Sequence, residues 1–245
     1  MGVILTGLNG TVAPVLAQTL RKAGAEVVRW DRDAVAIDDP AAIEDFLRST
    51  APDWLCHLAT GPPEWAASIA RACQEQGVRL LFTSSVSVFS GNGSSPITPE
   101  QEPDAEDDYG RYKRECERLV TEACPGALLA RLGWQIGDAP GSNNMVDYLA
   151  TRCEEDCSIR LNRDWTPSTA FLSDTADALV RLLQEESTGV YHLEGNPGWS
   201  MPRIAERLAQ RLGFDWNIVS TEDPPYNNRM ADGRVAVRPI SERLA

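Results

Sequence analysis

The segment MGVILTGLNGTVAPVLAQTLRKAGAEVVRWDR, residues 1–32, decides the fold class. Residues 2–6 form a short apolar run, which predicts a buried strand, and a glycine turn follows it. Apolar residues between 12 and 20 then recur at helical spacing until the stop at Gly24. Residues 25–31, AEVVRWD, predict a second strand. A strand–helix–strand unit of this kind is typical of a parallel sheet with helices on its faces.

The same alternation continues along the chain. Further helices are predicted over residues 41–49, 65–75 and 109–122, and further strands over residues 53–59, 78–86 and 126–134. Beyond residue 138 the pattern is less regular, with helices predicted over 143–155, 174–186 and 201–212 and a strand over 189–195. The prediction is one α/β domain over residues 1–245, a Rossmann-type doubly wound parallel sheet. A small C-terminal substrate-binding lobe is expected from segments roughly within 138–170 and 190–245.

Composition excludes several classes of function. The formal net charge is −13, which argues against a nucleic-acid-binding surface. No apolar run approaches the ~18 residues of a membrane span, and no leader peptide is expected. Six scattered cysteines favour free thiols in a reducing, cytoplasmic compartment. Cys153 and Cys157 are spaced like a metal-binding pair, but zinc needs about four ligands, so no metal is expected.

The glycine turn carries the first functional signal. Gly7, Gly10 and Ala13 follow a strand and open a helix, which is the context of a dinucleotide-binding fingerprint. Gly7 permits the tight turn, Gly10 lets a pyrophosphate approach backbone N–H groups, and Ala13 permits close helix packing. A glycine turn without a ligand is the alternative, and the flanking strand and helix favour binding.

Two adjacent residues bear on the choice of dinucleotide. Asp31 stands 24 residues after Gly7, where a carboxylate can bind the adenosine ribose hydroxyls. Arg32 is next to it and can instead pair with a 2′-phosphate. Asp31 slightly favours NAD, and the cofactor is therefore predicted as NAD or NADP.

A second signal joins the end of a strand to a later helix. FTSSVSVFSG, residues 82–91, places serine hydroxyls at the carboxyl end of a predicted central strand. YGRYKRECE, residues 109–117, puts Tyr109 and Lys113 at i,i+4 and hence on one helix face. An ordinary amphipathic helix and a turn-capping serine are the alternatives when each feature is taken alone.

Together these motifs resemble the extended short-chain dehydrogenase/reductase superfamily, and within it the dTDP-4-dehydrorhamnose reductase-like, sugar-nucleotide-binding branch. YGRYKRECE is similar to that branch's YGRTKxxGE helix, and SSVSVFSG, residues 84–91, is similar to its STDYVFDG segment. Further landmarks are WTPSTAFLSDTADAL, GVYHLEG and RPISERL, at residues 165–179, 189–195 and 238–244. The likeness spans nearly the whole chain.

The resemblance implies a catalytic set of Ser85, Tyr109 and Lys113. Tyr109 would act as the general acid toward a carbonyl oxygen, and Ser85 would hydrogen-bond the same oxygen. Lys113 would lower the pKa of Tyr109 and hold the nicotinamide ribose. The implied cofactor contacts are Gly7, Asn9, Gly10, Thr11, Asp31, Arg32, Leu58, Ala59, Tyr109 and Lys113. Weaker expectations for substrate contact fall on Ser87, Asn144 and Trp165.

The chain also departs from the branch at identifiable positions. A loop is missing where CHLATGPPEWAASIARACQEQGV, residues 56–78, runs almost directly into its helix. The asparagine that completes the usual catalytic tetrad falls on Pro62, and the branch's LDI motif reads VAI with Ala36 in the acidic position. His57 is expected beside the cofactor without a catalytic role.

The leading hypothesis is an NAD(P)-dependent oxidoreductase acting on a carbonyl or hydroxyl of a sugar nucleotide or related polar metabolite. A sugar-nucleotide epimerase or dehydratase and a non-catalytic dinucleotide-binding regulatory module are the alternatives. The expected partner is a small-molecule substrate, with a homodimer left open, and neither nucleic acid nor membrane is expected.

Overall fold

The computed structural model describes residues 1–91, 96–156 and 158–245. Cys157, the second member of the cysteine pair, lies outside these described residues. The strands, in chain order, are β1 (Gly2–Leu5), β2 (Glu26–Arg29), β3 (Trp54–His57), β4 (Arg79–Ser85), β5 (Leu128–Leu132), β6 (Trp134–Ile136), β7 (Ile159–Asn162), β8 (Trp165–Thr166), β9 (Thr169–Phe171), β10 (Gly189–Leu193), β11 (Ile218–Thr221) and β12 (Tyr226–Asn227). The helices are α1 (Ala13–Lys22), α2 (Pro40–Thr50), α3 (Pro63–Gln76), α4 (Asp108–Ala123), α5 (Met145–Asp156), α6 (Leu172–Gln184), α7 (Met201–Leu212) and α8 (Ile240–Arg243).

The centre of the fold is a six-stranded sheet in the order β2–β1–β3–β4–β5–β10. All five pairings are parallel, so the carboxyl ends of these strands lie on one edge. The strand order reverses between β1 and β3, which is where open α/β sheets bind ligands. The predicted Rossmann-type doubly wound fold is thereby confirmed.

Helices cover both faces of this sheet. On one face α2, α3 and α4 bury apolar side chains that include Ile43, Ile69 and Val120. On the other face α1 and α6 pack against each other and against the sheet through residues such as Leu16 and Leu179. The sheet is therefore buried from both sides, as the continuous apolar run of β1 requires.

A third apolar cluster lies in the segments that the sequence predicts as a substrate lobe, and we keep that name for them. It joins β6, α5, β7, β9, α7 and α8 through side chains such as Leu149, Phe171 and Leu208. Three short parallel pairs, β6–β9, β7–β11 and β8–β12, hold the lobe segments together. β10 lies within the second predicted lobe segment, yet it is the edge strand of the central sheet. None of the helices in the described ranges is both long and apolar enough to cross a membrane.

Helix α4 is fixed at its start and at its middle. The Asp107 carboxylate caps its first turn by accepting the N–H of Gly110 at 3.0 Å. A Cβ atom on Gly110 would lie 2.4 Å from the Ser87 carbonyl oxygen, so a glycine is needed where α4 meets the end of β4. One turn beyond Lys113, the Glu117 carboxylate accepts two hydrogen bonds from Arg131 of β5, at 3.0 and 2.7 Å.

The Glu117–Arg131 pair should matter for stability because both side chains are buried, at 8% and 5% exposure. Arg131→Met leaves the Glu117 carboxylate buried without its partner, and we expect the free energy of unfolding to fall by about 3–5 kcal/mol. Urea denaturation measures this change. Arg118→Met is the matched control, because Arg118 bonds Glu115 and Glu122 on the exposed face of the same helix. Equal, small losses in the two variants would contradict the assignment.

Candidate active site

A cleft of about 1030 Å³ opens at the carboxyl edge of the sheet. Its walls come from the turn after β1, the ends of β2, β3, β4 and β5, the start of α4, and the lobe. The position agrees with the reversal of strand order at β1 and β3. One end of the cleft is therefore built by the sheet and the other by the substrate lobe.

The glycine turn has the geometry of a dinucleotide cradle. Gly7 has a φ of +79°, and a Cβ atom there would lie 2.9 Å from the backbone nitrogen of Ala59. The N–H of Gly10 closes the turn by donating to the Gly7 carbonyl at 2.8 Å. Val12, the residue before α1, provides no side-chain cap, so the first N–H groups of the helix stay available to an anion.

Thr6 and His57 lock the turn to the end of β3. The Thr6 hydroxyl oxygen accepts the N–H groups of Leu58 and Ala59, each at 3.0 Å, and lies 2.9 Å from Nδ1 of His57. With its acceptor sites taken, the hydroxyl donates its proton to Nδ1. Burial, followed by the charges of Lys113 and Arg32, lowers the pKa of His57 to about 3, so the ring is neutral. This neutral ring supports the cradle through Thr6 and is not among the described residues that line the cleft.

Asp31 and Arg32, the residues predicted to contact the adenosine end of the cofactor, both line the cleft. One Asp31 oxygen accepts the N–H of Asp33 at 3.0 Å, which orients the carboxylate and leaves its other oxygen open. Arg32 donates to the Thr60 carbonyl at 2.7 Å, and its guanidinium lies 4.7 Å from the centroid of the Trp65 ring. Arg32 is thus held at the cleft wall by the loop after β3 and by α3.

Ser85, Tyr109 and Lys113 all line the same cleft. Ser85 ends β4, and its hydroxyl accepts the N–H of Ser87 and lies 3.1 Å from the Ser87 hydroxyl. The Ser85 side chain is also near enough to Tyr109 to lower the pKa of its phenol. Lys113 is buried, and its Nζ donates to the Thr83 carbonyl at 3.0 Å. The structure therefore brings the three residues implied by the resemblance to one place.

The electrostatics of this group differ from the expectation that Lys113 lowers the pKa of Tyr109. Partial desolvation at the cleft wall, where Tyr109 is still 47% exposed, raises the pKa of this phenol, and the nearby Ser85 offsets only part of that rise. Burial also lowers the pKa of Lys113, and its ammonium is directed at the Thr83 carbonyl on β4. The i,i+4 spacing places both side chains on one face, but the nearby carbonyl determines where the ammonium points.

Tyr112, the neighbouring phenol on α4, lies on a different face of the helix. Its hydroxyl oxygen accepts the N–H of Gly61 at 3.3 Å, in front of α3. Burial raises its pKa to about 12. Among the described residues that line the cleft, α4 contributes Tyr109 and Lys113 and not Tyr112.

The predicted substrate contacts are only partly brought together. Ser87 and Trp165 line the cleft, and so do the predicted cofactor contacts Asn9, Thr11, Leu58 and Ala59. Asn144 does not, because its amide oxygen accepts the N–H groups of Val146 and Asp147 at the start of α5. Its neighbour Asn143 lines the cleft instead.

Several lining residues were not predicted from the sequence. Trp134, Gln135, Ser168, Tyr226 and Asn228 contribute to the lobe side of the cleft. The available signal was the polar Gln135 in the otherwise apolar stretch after β5. The others lie in segments whose short strands pair over long distances in sequence, which periodicity does not reveal.

The departures from the resembled branch are visible in the fold. Five residues, 58–62, separate β3 from α3, and Pro62 stands directly before the helix without a side-chain cap. Residues 35–37, the VAI sequence, lie between β2 and α2 outside any strand. The wall of the cleft beside α3 is therefore short.

Comparison with known proteins identifies the family. The model of the RmlD substrate binding domain matches residues 64–238, which is more than half of the chain. The chain belongs to this family, and the resemblance to the dTDP-4-dehydrorhamnose reductase-like branch is confirmed.

Individual relatives are distant in sequence and similar in length and fold. The spore coat polysaccharide biosynthesis protein SpsK of Bacillus subtilis is 23% identical, over 93% of this chain and 85% of its own. The dTDP-4-dehydrorhamnose reductase of Escherichia coli is 26% identical, over 81% of this chain and 75% of its own. The crystal structure of dTDP-4-dehydrorhamnose reductase from Bacillus anthracis in complex with NADP superposes with a TM-score of 0.87 at 19% identity, over 99% of this chain and 96% of that one.

The glycine turn provides a direct test of the cradle. Gly7→Ala strains the backbone, because alanine disfavours a positive φ, and it also places Cβ against Ala59. We therefore expect dinucleotide binding to be lost and the melting temperature to fall. Gly24→Ala is the matched control, because Gly24 has a φ of +80° but its Cβ would meet no described atom within 4 Å. Fluorescence titration with NADH and NADPH, with a thermal melt, measures both effects. Binding by Gly7→Ala equal to that of Gly24→Ala would contradict the cradle.

Proposed function

We propose that the protein is an NAD(P)-dependent oxidoreductase that reduces a carbonyl, or oxidises the matching hydroxyl, of a sugar nucleotide. The observation that carries the proposal is the joint position of Ser85, Tyr109 and Lys113 in the cleft that begins at the glycine turn. Membership of the RmlD substrate binding domain family supports it. So do the name of the Escherichia coli relative, a dTDP-4-dehydrorhamnose reductase, and the NADP in the Bacillus anthracis structure.

The residues present fit a bound dinucleotide. The Gly7–Gly10 turn lines the cleft, and Gly7 lets its backbone pack directly against Ala59. The uncapped start of α1 offers N–H groups to the pyrophosphate, apart from Pro14, which has none. The open oxygen of Asp31 suits the adenosine ribose, and its charge opposes a 2′-phosphate, while Arg32 is engaged with Thr60. We therefore propose NAD or NADP, with Asp31 favouring NAD.

Tyr109 is the proposed proton donor. A phenol is protonated at neutral pH even at its ordinary pKa, and the pKa of Tyr109 is raised further, so the residue is in the form a general acid needs for carbonyl reduction. When bound, the nicotinamide supplies or accepts the hydride. Ser85, at the end of β4, is proposed to turn its single hydroxyl proton from Ser87 toward the carbonyl oxygen and to donate a second hydrogen bond as that oxygen gains negative charge.

Lys113 supplies a fixed positive charge under this pair. Its ammonium uses one N–H for the Thr83 carbonyl, which leaves two donors for other groups. In an interior of low dielectric, a buried cation stabilises negative charge that develops nearby more strongly than it would in water. The proposed role is a contact to the nicotinamide ribose, together with stabilisation of the negative charge that develops on the carbonyl oxygen.

Two further proposals concern the cellular compartment and the assembly of the protein. The five cysteines in the described part of the chain, Cys56, Cys73, Cys116, Cys124 and Cys153, are free thiols, which suits a reducing compartment such as the cytoplasm. A homodimer is retained as the proposed assembly.

Tyr109→Phe tests the proposal because it keeps the ring and removes the proton donor. We expect cofactor binding to persist while turnover of a ring-ketone nucleotide sugar falls by about 10²- to 10⁴-fold. Steady-state oxidation of NADH or NADPH, followed by absorbance, measures it.

Tyr112→Phe is the matched control. It removes a tyrosine hydroxyl from the same helix, and this hydroxyl accepts the N–H of Gly61 and lies outside the cleft. It should keep near-wild-type turnover. Full activity of Tyr109→Phe would refute the catalytic assignment. A wild type that binds the cofactor but turns over no ring-ketone nucleotide sugar would favour a regulatory module instead.

A further inference from the structure

The lobe side of the cleft contains a pair of polar groups that the chemistry above does not use. Within the described part of the chain, Oε1 of Gln135 and Nε1 of Trp165 are buried and have no hydrogen-bond partner. Both residues line the cleft. Buried polar atoms in folded proteins are normally paired, so an acceptor and a donor left open on one wall point to a ligand.

The orientation of the Gln135 amide follows from its own contact. Nε2 donates to the Gly133 carbonyl at 2.9 Å, so the exchanged orientation would set two oxygens against each other. Oε1 is therefore the open atom, and it can only accept. The side chain is 7% exposed, and its strand β6 is fixed by parallel pairing of Gln135 with Ala170 of β9.

Aromatic rings surround the two polar groups. Trp134 stacks on Trp165 with ring centroids 6.0 Å apart and an interplanar angle of 20°. Tyr226 lies beside Trp165 at 6.2 Å, and all three rings line the cleft. We name Trp134, Gln135, Trp165 and Tyr226 the lobe wall. Flat apolar faces with a few placed polar groups suit a ligand that carries C–H faces and hydroxyls together.

The backbone that carries the lobe wall is fixed by hydrogen bonds. The Glu194 carboxylate accepts the N–H groups of Thr169 and Met230, at 3.3 and 3.0 Å, and so joins β9 to the segment after β12. The N–H of Ser168 donates to the Asn228 side chain at 3.2 Å. A site held in this way is organised before its ligand arrives, and preorganisation strengthens the discrimination that a single hydrogen bond provides.

We infer that Gln135 determines specificity for the sugar of the substrate: Oε1 accepts a hydrogen bond from a sugar hydroxyl, and the indole N–H of Trp165 donates to an oxygen of the same sugar. The inference rests on the proposed function, since it takes the ligand to be a sugar nucleotide. A site built to pair a hydroxyl rejects an analogue that lacks it, because the buried acceptor is then left unpaired.

Gln135→Met tests this by removing the amide while keeping the length of the side chain. The probes are dTDP-L-rhamnose and UDP-glucose, each compared with its bare nucleotide, dTDP or UDP. Each is titrated by calorimetry into protein saturated with NADH or NADPH, because the reduced cofactor cannot oxidise the hydroxyls of these sugars. We expect the wild type to bind at least one sugar nucleotide more tightly than the bare nucleotide. Gln135→Met should lose about 10- to 100-fold of that affinity, with unchanged affinity for the bare nucleotide.

Gln76→Met is the matched control, because Gln76 also donates to a backbone carbonyl, that of Glu44 at 2.9 Å, but lies outside the cleft. It should bind all four probes like the wild type. Three outcomes overturn the inference: Gln135→Met binds the sugar nucleotide like the wild type, it weakens sugar and bare nucleotide equally, or the wild type gains no affinity from either sugar.

The experiment separates this inference from the proposed function because it measures binding without turnover. A sugar-dependent affinity that requires Gln135, in a protein without reductase activity, would contradict the proposed function alone. Reductase activity with a Gln135→Met variant that keeps wild-type sugar affinity would contradict the inference alone.

Discussion

Parallel pairing of β1, β3, β4 and β5 is the constraint on which the rest of the structure depends. It puts the carboxyl ends of four neighbouring strands on one edge. The glycine turn leaves β1, Leu58 follows β3, Ser85 ends β4, and Trp134 follows β5, so groups distant in sequence meet in one cleft. An antiparallel neighbour would send its carboxyl end to the opposite edge and remove its contribution. The site is therefore a consequence of the sheet.

Helix α4 turns this edge into a reactive site, and the way it is held explains the properties of its side chains. The Glu117–Arg131 pair fixes the helix on β5, and Gly110 lets its first turn approach Ser87. Lys113 is then buried against the Thr83 carbonyl, one of the few positive charges in the cleft of a chain with a net charge of −13. Anion binding in such a protein depends on local donors, here Lys113, Arg32 and the backbone N–H groups after β1. The overall field repels anions, so these donors define where a negatively charged ligand binds.

The sequence predicted the sheet and the reactive end of the cleft because both follow from local patterns. Strand–helix alternation gave the order of the elements, and the glycine turn and the Tyr109–Lys113 spacing marked the site.

The lobe side was not predictable in the same way. β8 and β12 have two residues each and pair across about 60 positions, and one polar residue, Gln135, in an apolar strand is a weak signal. Asn144 was expected in the cleft, but its side-chain amide caps α5. Which of Asn143 and Asn144 reaches the cleft depends on a turn in which both Ser142 and Asn143 have positive φ. The pKa of Tyr109 also depended on contacts that spacing does not reveal.

The central claim is that this cleft transfers a hydride between a nicotinamide and a sugar ring carbon. The most direct measurement is mass spectrometry of the product formed from a ring-ketone nucleotide sugar, such as dTDP-4-dehydrorhamnose, with NADH or NADPH deuterated at the transferable position of the nicotinamide. The account predicts a reduced sugar nucleotide that carries the deuterium on the former carbonyl carbon. Recovery of the ketone unchanged, or of a product without deuterium, from protein that binds the cofactor would contradict it.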